Sequence, residues 1–138
     1  MEVEKEIVMR YLVKAKVKEN KERDLLRAIE SGTLGQGSIA WGEYVRDMSH
    51  ARLLEDGLTC WLEVCYCGEP LEEEIPYWEK YFEICQIKNA HNREKCKDLN
   101  GSEPWSCGDC DCTEKLEARM EIWGDSFIDI LQDDVRRK

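Results

Sequence analysis

From Ile7 to Val17 every second residue is apolar: Ile7, Met9, Tyr11, Val13, Ala15 and Val17 share one parity, while Arg10, Lys14 and Lys16 stand on the other with Val8 and Leu12. An alternation this long is the period of a β-strand, and it requires a sheet with at least one covered face. The odd-numbered set is the expected buried face. The sequence that follows supplies the cover. Asn20 offers an N-cap, Leu25, Leu26 and Ile29 recur at helical spacing, and Ser31-Gly32 supplies a stop, so residues 21–31 read as an amphipathic helix.

The next elements continue this α+β order. Gly32-Thr33-Leu34-Gly35-Gln36-Gly37-Ser38 follows a helix and lacks the Gly-Lys-Ser/Thr ending of a nucleotide loop, so it reads as a connection with several positive-φ positions. Residues 43–48 suit one or two helical turns. Ala51 to Glu55 and Leu58 to Cys67, separated by Asp56-Gly57, read as a β-hairpin with a primed turn. Leu71, Ile75, Trp78 and Phe82 form one helical stripe. Pro76 interrupts it, which predicts a first turn at 71–74 and a main helix over 76–82. Ile84 to Asn89 completes the set as a strand in which Cys85 is expected to be buried and inert.

The order strand, helix, strand, strand, helix, strand is that of a ferredoxin-like βαββαβ antiparallel sheet with two helices on one face, occupying residues 1–90. Residues 91–138 are then a Cys-rich helical extension packed on the same domain. In it, 90–99 is expected to be a helix. A second helix should start near Cys112, with Asp111 as cap and Glu114 completing a capping box, and Gly124-Asp125-Ser126 marks a break and restart.

With 138 residues, one domain is the default. The net charge of −10 argues against nucleic acid, since neutralising phosphates needs surplus Lys and Arg. The N-terminal residues lead into no signal-like apolar segment, and no run approaches the ~18 apolar residues of a membrane span, so the chain reads as cytoplasmic. In a reducing compartment its eight cysteines favour thiols or metal ligands over a disulfide framework.

Three thiols, Cys107, Cys110 and Cys112, fall within six residues, and Cys65 and Cys67 stand close together upstream. Parity places Cys65 and Cys67 with Trp61 and Glu63, about 7 Å apart along the strand. Cys60, on the other face, reads as a small core residue. Cys107-Gly108-Asp109-Cys110 lets two thiolates wrap one tetrahedral ion through a tight turn, and a closed zinc site then needs two more ligands. Cys112, Cys96, Cys65 and Cys67 are candidates, as is His91, so the expected metal set is Cys65, Cys67, Cys96, Cys107, Cys110 and Cys112. Iron–sulfur spacings are missing.

The same residues support a redox reading. Cys112 near a helix start would gain thiolate character, with Cys110 as resolving partner, although Asp109 and Asp111 oppose it by raising thiol pKa values. Hydrolase and metalloprotease motifs are missing, and no catalytic residue is nominated. His50 reads as a surface histidine and Glu72-Glu73-Glu74 as the solvated start of a helix. The alternatives to a structural zinc protein are thus a thiol-dependent enzyme and a small-molecule-binding dimer whose extension is secured by disulfides.

Gly32-Thr33-Leu34-Gly35, Glu63-Val64-Cys65-Tyr66-Cys67, Pro76-Tyr77-Trp78-Glu79 and the cysteines from Cys96 to Cys112 together resemble a group of small prokaryotic proteins of unassigned function, over about residues 10–120. The first part is also similar in pattern to the ferredoxin-like dimeric α+β barrel superfamily. That resemblance implies a homodimer and transfers no catalytic residue.

Overall fold

The computed structural model describes residues 9–65, 71–91 and 112–137. Strand β1 (Met9–Val17) is followed by α1 (Glu22–Ser31), α2 (Glu43–His50), β2 (Arg52–Leu53), β3 (Thr59–Cys65), α3 (Ile75–Trp78) and β4 (Phe82–His91). After residue 111 come α4 (Cys112–Met120), β5 (Asp125–Ser126) and α5 (Phe127–Arg137). The fold is α+β. The five strands among the described residues form one sheet in the order β4-β1-β3-β2-β5, with every neighbouring pair antiparallel.

The alternation in β1 sorts as its period requires: Tyr11, Val13 and Ala15 are buried in the larger core. Helix α1 lays Leu25, Leu26, Ala28 and Ile29 into that core, and Gly32 ends it in the left-handed region at φ 74°, returning its N–H to the Ala28 and Ile29 carbonyls. Asn20 is not the N-cap. It holds a left-handed turn at φ 68°, and Lys21 precedes the first helical residue without a side-chain cap. The acidic first turn, Glu22 and Asp24, supplies a favourable interaction with the helix dipole instead.

The β2–β3 hairpin is present, but its turn is not primed. A primed Asp56-Gly57 turn needs Asp56 at positive φ, and only Gly57 adopts it, at 86°. The Gly57 N–H bonds the Leu54 carbonyl and the Leu54 N–H bonds the Leu58 carbonyl, so three residues close the loop and the Asp56 carboxylate takes the Leu58 N–H.

The predicted helix over 76–82 is a four-residue turn, because Phe82 is already the first residue of β4. Phe82 stays on the apolar stripe and is fully buried, which shows why spacing alone could not separate the two assignments. Strand β4 also takes Ala90 and His91 from the predicted helix 90–99, whose remaining residues lie outside the described ones.

Cys85 is exposed, not buried, and the register explains it. Lys14 pairs with Gln86 and Ala15 with Ile84, so Cys85 is the extra residue of a β-bulge. The bulge resets the parity: Ile84, opposite Ala15, and Ile87, opposite Val13, both pack on the larger core although they are an odd number of residues apart.

Both faces of the sheet are covered. One carries the larger core, built with α1, α2, α3 and α5 around Trp61, Trp78 and Phe82. The other carries Cys60, Leu62 and Met120, with Leu12, Leu54 and Leu116 packed against them, so α4 lies across it. The break at Gly124 is where the chain passes between faces. A Cβ there would meet the Leu53 carbonyl oxygen at 2.0 Å, so only glycine lets β5 reach β2. Among the described residues no helix is long and apolar enough to cross a membrane.

Candidate functional site

Two polar constellations occupy this frame. The first is where the described part of β3 stops. Cys65 is its last described residue, opposite Met9, and Arg10 stands between Val64 of β3 and His91 of β4. Arg10 is buried, and its Nε donates to Thr113 Oγ1 at 2.7 Å. This contact holds the first turn of α4 against the strand end. The backbones of Cys65, His91 and Cys112 are thereby brought to one end of the sheet, from positions far apart in sequence. Cys112 is the first described residue of α4. Cys67, Cys96, Cys107 and Cys110, together with the capping residue Asp111, lie outside the described residues.

Among the described residues no three His, Cys, Asp or Glu side chains are grouped to hold a metal ion. Cys60 is fully buried, and burial pushes its thiol up to about 11, which fits an inert core residue.

The second constellation was not legible as a site in the sequence. Glu63 of β3 is 3% exposed and accepts two indole N–H groups, from Trp61 to Oε1 at 2.7 Å and from Trp78 to Oε2 at 3.1 Å. The rings pack on one another with centroids 4.5 Å apart, and Phe82 and Tyr44 flank them. Burial raises the Glu63 carboxyl to about 7, and the two indoles oppose that rise by favouring the charged form. Asp47 of α2, also buried, is driven well above the usual carboxylate range by burial and then by the charge of Glu63, with Arg46 opposing. Glu63 can therefore hold a proton near neutrality inside the core, with the charge-disfavouring site of Asp47 beside it.

Around them the loop after α1 is tied down by oxygen. Tyr44 donates to Ser38 Oγ at 2.8 Å, and Ser38 donates to Glu73 Oε1 at 2.5 Å. Glu73 Oε2 accepts from the Ile39 N–H, and Glu74 is buried, so this acidic run is not the solvated helix start that composition suggested. Burial raises the Tyr44 hydroxyl above its ordinary value. Gly35, at φ 77°, makes room for this ring: a Cβ there would sit 2.1 Å from Tyr44 Cδ2.

Arg46 links the constellations. From α2 on one face it forms a two-pronged pair with Glu117 of α4 on the other, at 2.6 and 3.1 Å. On β3 the short β2 pairs with Thr59 and Cys60, and among the described residues no strand lies beside the rest of β3 on that side, where the pair spans from one face to the other. Hydrogen bonding to Glu117 raises the Arg46 pKa further above its ordinary value. His50 Nδ1 lies 4.0 Å from Glu117 Oε1, on a half-exposed side chain.

The signals for this second site were present but faint. Glu63 shares its parity with Trp61, and Asp47 shares a helical face with Tyr44 and Met48. Neither pattern says that an acid will be buried. Compared with known protein families, curated proteins and solved structures, the chain matches none.

Proposed function

We propose that this chain is a structural or partner-presenting protein in which a thiolate-bound ion, zinc by its ligand chemistry, fastens the cysteine-rich segment to the end of a ferredoxin-like sheet. The strand order supports this frame: β4-β1-β3-β2 with antiparallel neighbours is the order that split βαβ units produce when β3 enters between β1 and β2. Residues 1–90 form this frame and residues 91–138 its extension. The donors are drawn from Cys65, Cys67, Cys96, Cys107, Cys110 and Cys112.

The observation that carries the reading is the Arg10–Thr113 contact, which sets the start of α4 beside the end of β3 and so brings the two ends of the cysteine sequence pattern to one place. Strand parity puts Cys65 in step with Trp61 and Glu63 while α4 covers the opposite face, so an ion shared by both sides would have to sit beside Cys65 at the edge between the faces. Asp109 and Asp111 favour a bound cation over a free thiolate.

Elemental analysis of the full chain with a thiol count tests it. Near-stoichiometric metal is expected, with at least the clasp thiols slow to alkylate until a chelator is added. Metal-free protein with every exposed thiol reactive would overturn it, and one cysteine alkylating far faster than the rest at neutral pH would favour a thiol enzyme instead.

A further inference from the structure

Strand β4 is the last strand on one side of the described sheet. Among the described residues it pairs with β1 on one side and with no strand on the other, over the ten residues from Phe82 to His91. An edge of this length presents a row of amides and carbonyls ready to pair with another strand, and the bulge and charges along it are the usual devices that prevent such pairing. Their placement here has a second property.

Glu83 lies opposite Lys16 and Lys88 opposite Leu12, both even-numbered residues of β1, so Glu83 and Lys88 share a face. Ile84 and Ile87, opposite Ala15 and Val13, share the other. In an unbroken strand, residues three or five apart would stand on opposite faces. The extra residue Cys85 puts each pair on one side. An isologous antiparallel pairing of two sheet edges has its two-fold axis perpendicular to the sheet, which preserves faces. With that axis between Cys85 and Gln86, Glu83 of each copy meets Lys88 of the other, and Ile84 meets Ile87. The edge is complementary to itself in charge and in apolar character, and the two bulges balance.

We propose that two copies of the chain join β4 to β4 in this register, making one continuous sheet closed by two Glu83–Lys88 pairs and two Ile84–Ile87 pairs. The interface is independent of the cysteine clasp.

Sedimentation equilibrium of the full chain reads it directly. The expected mass is twice 16.2 kDa. Glu83→Lys and Lys88→Glu alone each set like charges opposite one another and should weaken the dimer about tenfold or more. The double variant restores opposite charges and should recover it, and an equimolar mixture of the two single variants should form a heterodimer. Circular dichroism of both exposed-site variants should match the parent, which separates weakened pairing from misfolding. A monomer at all concentrations would overturn the proposal, showing that the charges and bulge only blunt the edge. A dimer indifferent to both single substitutions would overturn it equally, placing the interface elsewhere, as at the exposed Ile122 and Trp123.

Discussion

Among the described residues, seventeen buried side chains on one face of the sheet form a continuous core that includes Trp61, Trp78, Phe82 and Tyr44, whereas on the other the buried apolar cluster consists of Cys60, Leu62 and Met120. The first face is held by apolar area, which is strong enough to carry Glu63 and Asp47 inside it. Among the described residues the second is thinner, and its helix is fixed by directed polar contacts one turn apart, Arg10 with Thr113 and Arg46 with Glu117. A small apolar contact holds a helix without orienting it, and charge-assisted hydrogen bonds supply the orientation.

Substitution on each face tests this contrast most strongly. Trp78→Ala should cost about 4 kcal/mol, since it leaves a large cavity and takes one donor from Glu63, while Met120→Ala should cost nearer to 2 kcal/mol because the shallow site can collapse. Equal losses in denaturant midpoints would remove the distinction between the faces.

A pH series sharpens it next. The folded Glu63 carboxyl, near 7, lies above its ordinary value of 4.5, so the folded state binds the extra proton in that window. Its stabilising contribution is complete below about pH 4.5 and is lost as the pH rises through 7, by on the order of 3 kcal/mol. Asp47 acts with the same sign. Thermal unfolding at pH 8 should therefore fall below that at pH 5.5, and Glu63→Gln should flatten the difference. An unchanged slope would assign the effect to other groups.

The smallest expected change is at the tie between faces. Arg46→Met should cost about 1 kcal/mol, because the arginine is partly solvent-exposed and its pair correspondingly screened. Its signature is local: amides of α4 should exchange faster while those of α1 keep their protection. Equal acceleration in both helices would mean that α4 is not separately tethered.

Much of this frame was readable from particular residues. The odd-numbered residues of β1, the glycine stop at Gly32, the hairpin around Asp56-Gly57 and the break at Gly124 each follow from local rules of period and φ preference. Cys85 was misread because a bulge has no hydrophobic signature, and the parity of Ile84 and Ile87 cannot be continued across an extra residue. Phe82 was misread because a buried aromatic serves the end of a helix and the start of a strand equally. Of the candidate site, the cysteines were visible as a pattern, whereas the buried acids were not: nothing local distinguishes Glu63 from the exposed Glu55.

By itself the sequence determined which residues share a strand or helix face and where most elements stop, since side-chain period and backbone preference act over a few neighbours. Only the tertiary structure decided that both faces of β3 are covered, that Glu63 lies between two indoles, that Arg46 reaches Glu117 past the sheet, and that the start of α4 returns to the end of β3. These depend on which surfaces meet, and contacts between residues tens of positions apart are set by packing of the whole chain rather than by any local rule.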